Sequence, residues 1–264
     1  MQRAPSMSRS ILAGCAVLVA GGCGRQVHLG DIGDGAASIL WAATFEVGDL
    51  SEWSGDGHGG AVVVQAPVAP SATLTVAHRG RYSGIATLAP VPGTLSINYL
   101  FRDQPSVPAA YYSAWFYIAS SFTVKSFLSL IHFNSSASGD GKNLSPTWDL
   151  NLYPRADGSL VAHLYDFVTQ TNFEQAAPAP VPIATWVHFE VFLRKAADAT
   201  GEVAAWQDGV SILDRRNVMT AATDWLQWDA GASSDDVTPP PAVVYVDDAA
   251  ISLSRLGTSD WTRH

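Results

Sequence analysis

Cysteine is almost absent from this 264-residue chain: Cys15 and Cys23 are the only two. A domain built from the residues after position 23 has no disulfide framework. Its stability must come from a packed core, with or without a metal. Basic residues are scarce as well. Fifteen Lys and Arg face twenty-four Asp and Glu, for a formal net charge of −9. No basic block occurs, so nucleic acid is not an expected partner, because phosphate binding needs clustered cations. No apolar run reaches the ~20 residues that cross a bilayer as a helix. Gly-x-Ser-x-Gly, His-Glu-x-x-His, P-loop and dinucleotide-binding patterns are all missing.

What is present is a globular composition, with 47% hydrophobic and 15% charged residues. The first residues read as an address. Arg3 and Arg9 precede a short apolar run, Ile11 to Val19, followed by Ala20-Gly21-Gly22 and Cys23. That is the layout of an export signal. Its removal would take two cations and no acid, leaving −11. Small residues ending at Cys23 resemble the lipobox of bacterial lipoproteins, with Ala20 where Leu is usual. Leu12-Ala13-Gly14-Cys15 fits the letters better but follows too short an apolar run. The expectation is a signal peptide over 1–22, a lipidated Cys23 with a tether over 23–38, a domain over 39–256 and a tail over 257–264. Localisation is then the bacterial cell envelope, with membrane contact through the lipid alone. The alternative is plain cleavage without a lipid.

From Ile39 onward no long segment has helical periodicity. Short runs rich in Val, Ile, Tyr, Phe and Trp are broken by Gly, Pro, Asp and Asn, which predicts an antiparallel β sandwich. Strands are expected at 39–46, 60–66, 72–77, 84–89, 94–101, 111–118, 126–133, 147–153, 159–165, 186–194, 202–207, 210–213 and 243–253. Asp157-Gly158 and Asp208-Gly209 predict two tight hairpins, since Asp-Gly readily supplies positive φ.

Several of these segments carry a resemblance. Thr44-Phe45-Glu46 through Glu52-Trp53, Gly80-Arg81-Tyr82-Ser83-Gly84 and Tyr111-Tyr112-Ser113-Ala114-Trp115-Phe116-Tyr117 are similar to segments of carbohydrate-active jelly rolls. So are Thr185-Trp186-Val187-His188-Phe189, Trp206-Gln207-Asp208-Gly209 and Tyr245-Val246-Asp247-Asp248. Over residues 41–253 the chain resembles the concanavalin A-like superfamily, in its heparin-lyase-like, alginate-lyase-like and laminin-G-like group. The resemblance implies an all-β jelly roll with a concave, polysaccharide-facing sheet.

The alginate-lyase-like members imply a site chemistry as well. They remove a proton alpha to a uronate carboxylate and eliminate the glycosidic oxygen, which needs a carboxylate neutraliser, a base and an acid. Their Gln-Ile-His motif is met by Leu130-Ile131-His132, with His in place and Leu at the Gln position. Asn134 shares the face of His132 by strand alternation. Arg102 is the only basic residue near the place of the Arg-x-Glu-x-Arg motif, which is otherwise absent. The closing Lys and Tyr motif is also absent, and Tyr165 or Tyr153 stand in by position. The catalytic candidates, if the chain is a lyase, are His132, Asn134, Arg102 and Tyr165. The ligand-binding candidates are His163, Tyr153, Trp148 and Trp228, the tryptophans for stacking on sugar C–H patches. The Glu-x-Asp-x-x-Glu pattern of jelly-roll glucanases is missing, which disfavours hydrolysis. Glu46 with Asp247 or Asp248 is the expected oxygen set for a structural calcium between the terminal strands.

Two lyase motifs being absent, the leading expectation is a polysaccharide-binding domain. A divergent uronate lyase and a structural envelope lipoprotein are the alternatives.

Overall fold

The computed structural model describes residues 39–57, 61–65, 77–104 and 107–258. The expected export signal, Cys23 and tether lie outside the described residues. So do most of the strand expected at 72–77 and the last six residues of the expected tail.

Among the described residues the chain forms strands and no helix. In order they are β1 (Ile39–Ala43), β2 (Gly55–Gly57), β3 (Val62–Gln65), β4 (Tyr82–Leu88), β5 (Ser96–Gln104), β6 (Ala109–Ile118), β7 (Thr123–Val124), β8 (Leu128–Ser136) and β9 (Leu144–Pro154). Then come β10 (Leu160–Asp166), β11 (Thr171–Phe173), β12 (Pro180–Val181), β13 (Trp186–Arg194), β14 (Gly201–Gln207), β15 (Val210–Val218), β16 (Leu226–Ser234), β17 (Val237–Thr238) and β18 (Ala242–Ser252). Two large antiparallel sheets and a separate β7–β17 pair result. The first runs β15-β14-β13-β6-β18-β4-β3, with β1 also on β18. The second runs β11-β10-β9-β8-β16-β5-β2, with β12 also on β10. This is the expected β-sandwich jelly roll.

Alternation fills the space between the sheets. On β13, Val187, Phe189, Val191 and Leu193 are wholly buried. The second sheet contributes Trp148, Leu150 and Leu152 from β9, Phe133 from β8, and Trp228 and Ala230 from β16. Aromatic edges and faces meet at the centre: Trp53 lies 5.6 Å from Trp228, and Tyr112 4.9 Å from Phe133. Burying each large side chain is worth about 1.5–3 kcal/mol, so a core of this size holds the fold without a disulfide.

Both expected hairpins form. At the second, Asp208 and Gly209 have φ of 48° and 80°, the two positive values of a tight hairpin turn. The principal element that the sequence pattern did not reveal is β16, which inserts between β5 and β8. Its residues Asp229-Ala230-Gly231-Ala232-Ser233-Ser234 are small and lack β-branched side chains, so they read as turn material.

Three register shifts sit where β8 meets its neighbours, one of them between Phe133 and Asn134 against β9. The β8–β9 register shifts between Ser129 and Ile131, and the β16–β8 register between Ala230 and Ser233. A bulge adds a residue to one strand and re-aims its side chains. Here Leu130 turns into the core, fully buried, and Ser129 pairs with Asn151.

Candidate active site

The outer face of the second sheet carries a row of polar and aromatic side chains, several of them nearly buried. Alternation along β9 turns Asp149, Asn151 and Tyr153 away from the core. The same rule turns His132 and Asn134 outward on β8, and His163 and Tyr165 on β10. Backbone pairing sets them side by side: His132 opposite Asp149, Asn151 opposite His163, and Asp149 opposite Tyr165. On the other flank Asp229 pairs with His132 and with Phe101.

His132 is the hub. Its Nδ1 lies 2.8 Å from Asp149 Oδ1, and its Nε2 is hydrogen-bonded to Tyr99 Oη. Ser233 Oγ is 3.5 Å from the same Nε2. Tyr99 comes from β5, and β16 lies between it and His132. The phenol can cross that strand because the residue opposite Tyr99 is Gly231. A Cβ there would sit 2.4 Å from the Asn98 carbonyl oxygen and 3.0 Å from Tyr99 Cδ1. A side chain at 231 is therefore incompatible with this arrangement.

Two carboxyl groups flank His132, both nearly excluded from solvent. Asp229 is 6% exposed and Asp149 3%. Asn134 Nδ2 donates to Asp229 Oδ2 at 2.7 Å, while Asp229 Oδ1 is buried without a partner among the described residues. Burial pushes the Asp229 carboxyl up to about 7, against the pull of His132 and Asn134. Burial also raises Asp149, opposed by His132 and Ser129. An ionised Asp149 places the imidazole proton on Nδ1, which faces it as a charge pair, and leaves Nε2 to accept the Tyr99 proton. The result is a chain of proton-transfer partners, Tyr99–His132–Asp149, in which the carboxylate fixes the tautomer of the imidazole. No Lys or Arg among the described residues is hydrogen-bonded or ion-paired to His132, Asp149 or Asp229.

The remaining candidates divide by face. His132, Asn134, His163, Tyr153 and Tyr165 share the outer surface. His163 accepts from Asn172 Nδ2 at 2.9 Å and packs on Tyr153 with ring centroids 4.7 Å apart. Arg102 does not join them. It alternates with Tyr99, shares its face with Leu100, and holds its guanidinium carbon 5.5 Å from the ring centre of Trp41. Trp148 and Trp228 are also corrected. Both are 0% exposed, and Trp148 Nε1 donates to the Met219 carbonyl. Neither can stack on a sugar, because each follows or precedes an outward acid and so points inward. Sequence reasoning missed Tyr99, Asp149 and Asp229. The polar alternation of Trp148-Asp149-Leu150-Asn151-Leu152-Tyr153 held the signal for Asp149.

The three carboxylates expected to hold calcium each accept or meet groups of the chain itself. Glu46 Oε1 accepts the backbone N–H groups of Arg81 and Tyr82 at 2.7 and 2.9 Å. Asp247 Oδ2 accepts that of His78 at 2.8 Å, and Asp248 Oδ2 meets His78 Nδ1 at 2.7 Å. No cluster of three or more His, Cys, Asp or Glu among the described residues is placed to hold a metal.

A family model described as polysaccharide lyase matches residues 45–250. The chain belongs to that family. Solved structures agree on the fold at low identity. An endo-β-1,4-glucuronan lyase from the fungus Trichoderma reesei is 16% identical with a TM-score of 0.60, over 82% of this chain and 96% of that one. The cellulose-induced protein Cip1 is 16% identical with a TM-score of 0.57, over 83% and 99%. Alginate lyase vAL-1 from Chlorella virus is 11% identical with a TM-score of 0.52, over 81% and 99%. A search of curated protein sequences finds no match. This lyase-family jelly roll thus carries a half-buried His132 with buried Tyr99 and Asp149 on the outer face of the second sheet.

Proposed function

We propose that this polysaccharide lyase-family protein cleaves a uronate-containing polysaccharide by β-elimination, with Tyr99 and His132 handling the proton. The observation that carries the reading is the Tyr99 Oη–His132 Nε2 hydrogen bond backed by Asp149 on Nδ1. Tyr99 passes its proton to His132 Nε2, and the phenolate takes the proton alpha to the uronate carboxylate. The electron pair of that C–H bond forms the new double bond as the bond to the glycosidic oxygen breaks. His132 or Tyr99 then returns a proton to the leaving oxygen, so the enzyme ends as it began. Asp149 steadies the imidazolium between these steps.

The uronate carboxylate needs its charge offset in the transition state. With no cation among the described residues bonded at His132, the groups available there are neutral donors: the Asn134 amide and the carboxylic acid form of Asp229. A carboxylic acid kept neutral by burial can serve as such a donor.

The same lack of a cation favours the second reading, a polysaccharide-binding domain without catalysis. One experiment separates the two. The wild type is offered polyglucuronate, alginate and other uronate polymers, and the ultraviolet absorbance of the unsaturated product is followed. The lyase reading expects product, and a loss of roughly 10²–10⁴-fold in Tyr99→Phe and His132→Ala. Absence of product on every polymer, with retained binding, would leave the binding reading.

A further inference from the structure

A cavity of about 450 Å³ opens on the same outer face, away from His132. Tyr153, Arg155, His163, Asn172 and Glu174 are among its lining residues. His163 pairs with Asn151, one strand beyond Asp149. It therefore lies two strand spacings from His132, about 10 Å, and two residues, about 7 Å, along the strand direction. A polymer bound across the sheet at Tyr99 and His132 can reach this cavity with another of its units.

The chemistry of the lining is that of a sugar site. Tyr153 and His163 form one aromatic wall, tilted 33° to each other. Asn172 Nδ2 donates to His163 Nδ1, so the neutral imidazole carries its proton on Nε2. Burial lowers the His163 pKa, which keeps the ring neutral and Nε2–H a donor. Arg155 adds an exposed cation at the rim. Its backbone is fixed in the β9–β10 turn: Arg155 N–H donates to the Ser159 carbonyl at 2.8 Å, and Gly158 N–H to the Arg155 carbonyl at 2.9 Å. An aromatic wall suits the C–H patch of a sugar ring, a fixed N–H suits a hydroxyl, and a guanidinium suits a carboxylate.

We infer that this cavity is a distal subsite that holds one acidic sugar of the polymer, with Arg155 on its carboxylate and the Tyr153–His163 wall against its ring. The inference rests on the lyase-family reading of the outer face and extends it. Occupation of the subsite makes the protein prefer long chains to short ones and internal linkages to ends.

The test measures binding and cleavage separately. Size-fractionated oligomers of polyglucuronate and of alginate are titrated by calorimetry into Tyr99→Phe protein, with and without Arg155→Ala. Arg155 is exposed, so its replacement leaves the fold intact. The expected result is tighter binding with chain length in the parent and a loss of at least tenfold on the long oligomers in the Arg155→Ala variant. Short oligomers should be bound equally by both. In otherwise wild-type protein, Arg155→Ala should flatten the rise of kcat/KM with chain length. Identical length profiles in parent and variant would overturn the subsite, as would no binding of either oligomer series. Arg155-dependent binding with no unsaturated product from the wild type would instead overturn the lyase reading and leave the subsite standing.

Discussion

Replacing Asp229 with Asn should stabilise this protein while altering its site least in shape. The unfolded chain releases the Asp229 proton near 3.8, the folded chain near 7. Between those values the folded state holds more protons than the unfolded state, so stability falls as pH rises. The interval spans about three pH units, each worth about 1.36 kcal/mol, which sets a ceiling of about 4 kcal/mol on the destabilisation above pH 7. The physical origin is an ionised carboxyl that is 6% exposed, with Asn134 bonded to one oxygen and none of the described groups bonded to the other. Asn has the same shape, and its oxygen still accepts from Asn134 Nδ2. The assay is urea unfolding of wild type and Asp229→Asn from pH 4 to pH 8. The two should nearly coincide at pH 4 and diverge as pH rises, with the variant more stable by up to the ceiling at pH 8. Groups common to both proteins cancel in the difference. Parallel stability curves over the whole range would refute the argument that Asp229 is held as an acid by burial.

Three further outcomes follow from the packing. His188 is wholly buried with both ring nitrogens unpartnered among the described residues, and burial lowers its pKa from 6.5 to about 3. Below pH 6.5 the unfolded chain takes up a proton that the folded chain refuses. Stability should therefore drop by up to about 5 kcal/mol towards pH 3, and a His188→Phe variant should show a shallower loss in denaturant midpoints at pH 7 and pH 4. Gly231→Ala must push backbone apart at Asn98 and Tyr99. It should cost about 1–3 kcal/mol and depress kcat more than KM, whereas unchanged kcat would separate Gly231 from the placement of Tyr99. Trp148→Phe leaves the Met219 carbonyl without its donor and should cost about 1–3 kcal/mol. Oligosaccharide affinity should not change, and a large fall in affinity with unaltered stability would return Trp148 to the binding surface.

Much of this architecture was legible in the amino-acid order. The strand expected at 186–194 forms as Trp186–Arg194, because Val, Phe and Leu alternate there with polar residues. Both Asp-Gly hairpins were readable for the same local reason. His132 could be found through the resemblance of Leu130-Ile131-His132 to the lyase Gln-Ile-His motif. Its partners could not be found in that way. Tyr99, Asp149 and Asp229 come from three strands, and only the strand order makes them neighbours. Arg102 was misread because closeness to a motif's place was weighed above strand parity, and Trp148 and Trp228 because the aptness of an aromatic face for sugar was. An outward Tyr99 requires an inward Arg102, and an outward Asp149 an inward Trp148. Asp229 was hidden more deeply, since the strand that carries it is made of small residues chosen for close approach rather than for β propensity.

The position of β16 also governs when the site can exist at all. It wedges between β5 and β8, although it leaves the ribosome nearly a hundred residues after β8. In the first sheet β18 inserts in the same manner between β4 and β6. Neither sheet is complete until almost the whole domain has been made, and long-range pairings of this kind form slowly. Tyr99 and His132 are thus brought together only after chain synthesis is nearly finished. Assembly of the Tyr99–His132 site becomes a late event in the life of the molecule, and a C-terminally truncated chain should lack that site however well its early hairpins form.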